Sequence, residues 1–398
     1  MIRSPGRTPG NEAPTFWTVP IDRRRFLIVV GGATAYVALQ PHVSWAARAS
    51  RKLANLQPWT LPESPPSNQV ELARALIGAG VLAPSNWNSQ PWRWEVDAGA
   101  IRLVADTSRA LPVTDPDRRS MMLSLGAALE NMLVAARAYG LRPTVAYFPN
   151  EGAADVVAQI SWTNGELRRD RQLFAAIPER RTNRRNYDGR GIFMQNRAQL
   201  SAQIPEDLRL HWLDDRDEIR SLGDLAYEAT REQVLDPRAQ AERMAWMRFE
   251  RKEIEKRGDG VSLDALELGG PAKWFAGRYF NPKSWFLRYG AGSAAKQARE
   301  TMRSSGAVAL LCSPQRSETL ALNAGQAYER LALKATQLGI AHQPVNAPIE
   351  VEKHRADLLR RFRTRDEHPL MLIRLGHAKK PDATARRSVA LVSSFRNS

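Results

Sequence analysis

The chain contains a single cysteine, Cys312, among its 398 residues. One cysteine excludes an internal disulfide and a metal site built from several thiolates. Cys312 ends an apolar run that is typical of a buried strand, so we expect a structural thiol there rather than a nucleophile. The six histidines include no pair at the spacing that places two imidazoles on one helix face. We therefore infer no metal site.

A Lys- or Arg-rich tail is also absent, although the chain is basic. It carries 58 Lys and Arg against 42 Asp and Glu, a formal net charge of +16. Such a charge could attract nucleic acid, an acidic membrane surface or an anionic cofactor. The basic residues are interleaved with acidic ones, with no zinc-finger spacing and no Lys- or Arg-rich tail. This pattern is typical of solvated surface charge, and we expect no nucleic-acid partner.

A glycine-rich dinucleotide motif is missing as well. No G-x-G-x-x-G follows a strand-like pattern, so we expect no Rossmann domain for a nicotinamide cofactor. The length of 398 residues and the hydrophobic fraction of 43% allow two domains, or one large fused unit with a substantial core.

Long apolar runs are scarce, and the run near the N-terminus is too short and too rich in Gly and Ala for a membrane span. That run, 28–39, follows the basic residues 23–25 and precedes an A-x-A sequence at 47–49. This order predicts a twin-arginine export signal over residues 1–49, with the export machinery as partner and a periplasmic or otherwise exported protein. A basic helix start in a cytoplasmic protein and an uncleaved, membrane-anchoring signal are the alternatives. Residues 50–69 are polar and proline-rich, as expected of a linker.

The most informative stretch is the loop APSNWNSQPW at 83–92. A helix-like apolar pattern precedes it and an alternating, strand-like pattern follows it, so we place it between a helix and a strand. Its short polar side chains donate and accept hydrogen bonds, and Pro84 and Pro91 restrict its backbone. A rigid polar loop of this kind often carries a binding site, although Asn, Ser and Pro also make ordinary turns.

This signature loop resembles the A-P-S-x-x-N-x-Q-P-W signature of the nitroreductase-like flavoprotein superfamily, and every fixed position is present. In that family the loop contacts the flavin FMN. The resemblance implies that Ser85, Asn88 and Gln90 bind FMN and that Pro84 shapes the loop. It also implies that the flavin supplies the chemistry, which makes a catalytic triad unnecessary.

A second stretch, RRTNRR at 180–185, is rich in arginine, the residue best suited to a multidentate grip on phosphate. The same residues could also form a basic surface loop. The stretch resembles the R-R-S-x-R motif with which family members hold the phosphate and ribityl chain of FMN. The resemblance implies these phosphate ligands: Arg181, Thr182, Arg184 and one of Arg386 and Arg387, which follow the last strand.

The chain also repeats itself once over a long period. Residues 126–141 align without a gap with residues 325–340, and Gly, Ala and Glu coincide, which indicates an internal duplication. Two amphipathic helices could share this pattern by chance. Small residues such as Gly126 and Gly325 would let the two helices approach closely at a central interface.

Family members are typically homodimers that hold FMN at the subunit interface, so the resemblance implies two such halves fused in one chain. We expect an α+β fold with a central, mostly antiparallel sheet and long central helices, its halves at 70–165 and 166–398 forming a pseudo-dimer. The signature loop lies in the first half and the arginine motif in the second, and neither half contains the other's motif. We therefore expect one FMN site per chain.

Residues 237–303 interrupt the second half, and nothing in the first half corresponds to this insert. Its aromatic residues could form a lid or substrate wall over the flavin, or a helical pair on the surface. The insert, the fused halves, the arginine motif and the Arg386–Arg387 pair together resemble the Acg-type branch of the superfamily.

The function that the resemblance implies is that of an FMN-dependent oxidoreductase, which passes hydride from NAD(P)H through flavin N5 to a small acceptor such as a nitroaromatic or a quinone. The main alternative is a non-catalytic protein that stores or sequesters FMN beneath a sealing insert. The position of the insert separates the two functions, because it decides whether a nicotinamide can reach the cofactor.

Overall fold

The computed structural model describes residues 59–97, 99–149, 155–165, 170–262, 265–266 and 286–395. The predicted export signal and most of the predicted linker lie outside the described residues, and so do most aromatic side chains of the insert. Among the described helices, none is long and apolar enough to cross a membrane.

Helices and strands in the first part of the chain follow the hydrophobic pattern. The elements are α1 (Gln69–Gly80), β1 (Trp92–Asp97), β2 (Ala100–Ala105), α2 (Arg119–Ala138), β3 (Leu141–Tyr147) and β4 (Val156–Asn164). The Asn68 side chain caps α1 by accepting a hydrogen bond of 2.8 Å from the Val70 backbone N–H. The signature loop lies between α1 and β1, which confirms its predicted place. Strand β4 was not predicted.

The second part of the chain is longer and more helical. Its helices are α3 (Arg171–Ala176), α4 (Met194–Ser201), α5 (Arg216–Leu235), α6 (Pro237–Trp246), α7 (Arg251–Arg257), α8 (Phe286–Arg303), α9 (Glu318–Gln337), α10 (Ala347–Glu350), α11 (Glu352–Arg361) and α12 (Val389–Val392). Its strands are β5 (Arg209–Leu213), β6 (Met247–Arg248), β7 (Val261–Ser262), β8 (Ala307–Ser313), β9 (Ala341–Pro344), β10 (His368–Gly376) and β11 (Ser393–Phe395). The predicted α+β class is confirmed.

In the described part of the chain, the strands form two large sheets, and both are mostly antiparallel. One has the strand order β11-β1-β2-β4-β3, and the other has the order β5-β8-β10-β9. Every neighbouring pair in them is antiparallel except β1 and β11, which run parallel. Because β11 joins the first sheet, the C-terminal segment returns to the N-terminal half of the fold and passes the signature loop on its way.

The two long helices α2 and α9 pack against each other through glycine. A Cβ atom built on Gly126 would lie 1.9 Å from the Leu322 carbonyl oxygen, and one built on Gly325 would lie 2.2 Å from the Leu123 carbonyl oxygen. Each helix therefore presses a glycine against the other's backbone, which confirms the predicted close approach. The reciprocal contact agrees with a duplicated helix, although the pseudo-dimer itself stays a prediction.

The core of the second sheet contains the single cysteine. Strand β8 is buried along its whole length, and Cys312 is fully buried within it. Burial raises the pKa of the Cys312 thiol, so the thiol is protonated at neutral pH. The expectation of a buried structural thiol is confirmed.

Candidate functional site

The signature loop has an unusual backbone. Trp87, Asn88 and Gln90 all have positive φ angles, of 51°, 52° and 52°, which L-residues seldom adopt. The Ser85 hydroxyl accepts a hydrogen bond of 2.9 Å from the Gln90 backbone N–H and so closes the loop on itself. Backbone strain of this kind is commonly retained at ligand sites, where surrounding contacts hold it in place.

The side-chain amides of the loop bind other parts of the protein. Asn88 Nδ2 donates to the carbonyl oxygens of Gly260 (2.9 Å) and Ala385 (3.1 Å). Gln90 Nε2 donates to the Gly258 carbonyl oxygen at 2.8 Å, and Gln90 Oε1 accepts from the backbone N–H of Arg387 at 2.9 Å. The two amides therefore attach both the insert and the C-terminal segment to the signature loop.

The insert meets the loop through a tight turn at residues 258–260. Gly258 and Gly260 have φ angles of +63° and +76°, and a Cβ atom on Gly260 would lie 2.5 Å from the Trp246 carbonyl oxygen. Between them, the Asp259 carboxylate pairs with Arg248 at 2.7 Å and with Arg109. These arginine partners hold the pKa of Asp259 below its ordinary value. The turn is therefore fixed by both charge and shape.

Two adjoining cavities lie where the signature loop meets the arginine motif. The larger has a volume of about 220 Å³ and the smaller about 50 Å³. Both are lined by Pro84, Ser85, Thr182 and Arg184. Residues almost 100 positions apart in the sequence thus share the walls of one continuous site, as the two motifs predict.

The smaller cavity is the basic end of this site. Its lining includes four arginines: Arg180, Arg181, Arg184 and Arg386. Trp59 lies beside two of them, with its ring centroid 4.2 Å from Arg181 Cζ and 5.1 Å from Arg386 Cζ. The sequence analysis missed Trp59, because it lies in the segment assigned to the linker.

The arginines at the basic end repel one another. Burial, followed by the nearby charges of Arg180 and Arg181, holds the pKa of Arg386 well below its ordinary value. Burial and the Arg180 charge lower the pKa of Arg181 to about 10. Asp382 lines the same cavity, and Glu329 Oε1 lies 3.2 Å from Arg180 Nε; these acids balance part of the charge, but the pKa values of Arg181 and Arg386 stay lowered. A bound anion would relieve the repulsion, so the basic end is built for one.

Arg386 retains an unused donor. Its Nη1 donates to Asn88 Oδ1 at 3.0 Å and to Thr384 Oγ1 at 2.6 Å, whereas its buried Nε has no hydrogen-bond partner in the described part of the chain. A buried, unpaired donor beside several arginine side chains fits a phosphate oxygen. Of the two C-terminal arginines that the sequence left open, Arg386 is the one that lines the cavity.

Two of the predicted ligands lie apart from the cavities. Neither Gln90 nor Arg387 belongs to the lining of either cavity. Arg387 Nη1 instead donates to the Gln90 carbonyl oxygen at 3.3 Å. Asn88 lines the basic end, but its amide already donates hydrogen bonds to the carbonyl oxygens of Gly260 and Ala385. Flavin contacts by these three side chains stay predictions.

The larger cavity is less basic and partly apolar. Helix α6 of the insert contributes Ala239 and Arg243 to its wall, so part of the insert does border the site. Glu350 lies on another wall, accepts a hydrogen bond of 2.6 Å from Gln233, and has a pKa raised by burial. The remaining lining includes Trp87, Thr114, Leu123, Ser124, Tyr328, Asn346 and Met371.

A buried polar pair, Tyr328 and His342, contacts the arginine motif through Asn183. Tyr328 Oη and His342 Nδ1 lie 3.2 Å apart, and the Asn183 backbone N–H donates to the His342 carbonyl oxygen at 3.0 Å. Burial, assisted by the Arg180 charge, lowers the pKa of His342 to about 3. His342 is therefore neutral in the fold at neutral pH.

The buried His342 should make the free energy of unfolding depend on pH. The unfolded chain takes up the proton near pH 6.5, whereas folded His342 stays neutral to about pH 3. The contribution of His342 to folding should thus decrease by up to about 1.4 kcal/mol per pH unit as the pH falls below 6.5. Urea unfolding of the wild type and of His342→Gln should give free energies whose difference shrinks over this range. Parallel pH profiles would contradict the assignment.

A separate group of potential metal ligands lies outside the two cavities. His211, Cys312 and Glu367 place one ligand atom each within 4.8 Å of one another. A search for closely spaced histidines misses this group because distant segments supply its members. His211 Nε2 lies 2.7 Å from Glu367 Oε2, and the Cys312 thiol is protonated. The geometry is that of a hydrogen-bonded cluster, not a thiolate ligand set.

Several known proteins similar to this chain are mycobacterial. No family model matches the chain. A Mycobacterium tuberculosis (strain H37Rv) protein named "Putative NAD(P)H nitroreductase Rv3131" is 28% identical over 314 residues, which cover 77% of this chain and 86% of that protein. Another from that strain, "Putative NAD(P)H nitroreductase acg", is 32% identical over 97 residues, 24% of this chain and 29% of that protein.

A solved structure similar to this chain is the crystal structure of the FMN-dependent nitroreductase NfnB from Mycobacterium smegmatis in complex with NADPH. The match has a TM-score of 0.36 and 15% sequence identity, and it covers 57% of this chain and 98% of that chain.

Proposed function

Because the chain is related to nitroreductase-like proteins, as the signature loop predicts, we propose that it is an FMN-dependent oxidoreductase with one FMN site per chain. The observation that carries the proposal is the cluster of buried arginines at one end of a cavity that opens beside the signature loop. Such a site suits a ligand with a phosphate at one end and a planar ring at the other.

Different residues of the chain would bind different parts of this ligand. Arg181, Arg184 and Arg386 would neutralise the phosphate, and the Thr182 hydroxyl would donate to it. Ser85 lies where the two cavities join and would face the middle of the ligand. Bound FMN would supply the redox chemistry, which the side chains themselves lack.

The proposed reaction is the transfer of hydride from NAD(P)H to a small acceptor. A quinone acceptor would gain two electrons and two protons to become a hydroquinone. One of those protons comes with the hydride from NAD(P)H and the other from solvent, while NAD(P)⁺ is released. A nitroaromatic would gain its first two electrons in the same way, with loss of one oxygen as water.

The experiment that tests this function is anaerobic reduction. The purified protein, loaded with FMN, should lose its absorbance near 450 nm when NADPH or NADH is added, and should recover it when a quinone is added. We expect bleaching within seconds for an open site. A protein that binds FMN and is reduced by dithionite, but not by either nicotinamide, is not an NAD(P)H oxidoreductase.

A second candidate function is storage of FMN without turnover. The larger cavity, at about 220 Å³, is smaller than the roughly 300–1,000 Å³ usual for small-molecule sites. Helix α6 of the insert is also anchored, because Glu242 accepts hydrogen bonds of 2.9 Å from the backbone N–H groups of both Val113 and Thr114. A firmly closed insert would leave little room for a nicotinamide beside the flavin.

Loosening the insert distinguishes the two functions. Asp259→Asn weakens the ion pairs of the 258–260 turn with Arg109 and Arg248. If the insert seals the site, this variant should be reduced by NADPH at least tenfold faster than the wild type. If the site is open, the rates should agree within about twofold, and stopped-flow absorbance measures both.

Export through the twin-arginine machinery belongs to the same proposal. That route carries folded proteins, which suits a protein that must acquire FMN in the cytoplasm. The proposal therefore places the protein in the periplasm or outside the cell, either released or anchored by its signal. Fractionation of cells that express the wild type and a variant with Lys in place of Arg23 and Arg24 tests it, because the variant should stay in the cytoplasm.

A further inference from the structure

We propose that Arg243 of the insert recognises an acceptor that carries a carboxylate on an aromatic ring. The inference rests on the proposed function, since it assigns the substrate class of the same site. It concerns the larger cavity, on whose wall Arg243 lies, and not the phosphate-binding end.

The Arg243 guanidinium contacts an aromatic ring but no acidic side chain among the described residues. Its Cζ atom lies 5.2 Å from the centroid of the Trp87 ring, and burial lowers its pKa. In the part of the chain that the structure describes, no hydrogen bond or ion pair involves its guanidinium. A partly buried guanidinium with no hydrogen-bond partner is available to a ligand that can satisfy it.

The neighbouring acids are engaged elsewhere. Both carboxylate oxygens of Glu242 accept from residues 113–114, and Glu350 accepts from Gln233 and faces Arg119 at 3.6 Å. Glu242 also fixes helix α6 against the first part of the chain, so the position of Arg243 is well determined. The unpaired guanidinium is thus held in place facing the cavity.

The chemistry of the pair formed by Arg243 and Trp87 defines the ligand. A guanidinium binds a carboxylate through two parallel hydrogen bonds. The indole ring beside the guanidinium adds an aromatic surface for contact with a ligand ring. Because Trp87 belongs to the signature loop, a ligand held by the pair lies beside the proposed flavin site.

A matched pair of acceptors tests the inference, namely 4-nitrobenzoate and its uncharged methyl ester. The FMN-loaded wild type should use 4-nitrobenzoate with a kcat/KM about 10- to 100-fold higher than that of the ester, as expected for one charge-assisted contact. Arg243→Gln should lose this preference, mainly through a higher KM for 4-nitrobenzoate, and keep its FMN content. Arg238→Gln, which changes an exposed arginine of the same helix, should behave as the wild type.

Three results would overturn the inference. The wild type could prefer the ester, Arg243→Gln could retain the preference for the acid, or the variant could raise the KM for NAD(P)H instead. If the wild type reduces neither compound, reduction by NAD(P)H and reoxidation by a quinone show whether the proposed function stands, and calorimetry with 4-nitrobenzoate decides the inference separately. Binding that Arg243→Gln abolishes upholds the inference without the activity, and the absence of binding overturns it.

Discussion

Replacing both Arg181 and Arg184 with alanine is expected to give a folded, colourless protein that no longer binds FMN. Both side chains line the basic end of the site, where burial and the Arg180 charge lower the pKa of Arg181 to about 10 and where a bound phosphate would offset positive charge. Each charge-assisted contact with a phosphate contributes about 1.5–3 kcal/mol. Losing two of them should raise the dissociation constant for FMN by a factor of about 100 to 10,000. Quenching of FMN fluorescence during titration measures this constant.

The fold should survive the double substitution. Because Arg181 and Arg184 lie beside other arginines, the relief of repulsion should offset the loss of their hydrogen bonds to backbone carbonyl oxygens, so the FMN-free protein should stay folded. Arg190→Ala is the matched control, since Arg190 belongs to the same segment but is exposed and pairs with Asp188 at 2.7 Å. The control should bind FMN as the wild type does. A double variant that is purified yellow would show that the phosphate lies elsewhere.

The second large effect is expected at the helix interface. Gly126→Ala places a methyl group where the Leu322 carbonyl oxygen now lies, with only 1.9 Å between them. The atom it meets is backbone, which cannot turn aside as a flexible side chain can, so α2 and α9 must separate. We expect a loss of about 3 kcal/mol or more in the free energy of unfolding. Gly325→Ala should cause a similar loss.

A glycine in open space provides the comparison. Gly292 lies within helix α8, and a Cβ atom built there meets nothing within 4 Å. Gly292→Ala should be neutral or should stabilise the protein by up to about 1 kcal/mol, since alanine favours the helix. Urea unfolding followed by circular dichroism compares the three variants. Equal stabilities for Gly126→Ala and Gly292→Ala would disprove the close packing of the central helices.

Local sequence patterns predicted much of this architecture. The periodic apolar residues of α2 and α9 indicate long helices, and the glycines at 126 and 325 indicate how closely they pack. The signature loop and the arginine motif are also readable, because each is a continuous stretch with a distinctive order. Their meeting at one site followed from the resemblance to dimeric flavoproteins and not from periodicity.

The contacts that complete the site could not be predicted in the same way. Gln90 binds the turn at 258–260, and Arg386 binds Asn88 across almost 300 positions. Such contacts arise from tertiary packing and leave no local period in the sequence. Trp59 and Arg243 were missed for the same reason, since each acts through a neighbour that is distant along the chain.

The most direct test of the central claim is the number of FMN molecules bound per chain. The FMN-free protein should be titrated with FMN, and the flavin released from the saturated protein should be quantified against the protein concentration from amino-acid analysis. The account predicts one FMN per chain, because the signature loop and the arginine motif form a single complete site. Two FMN per chain, or none, would contradict it.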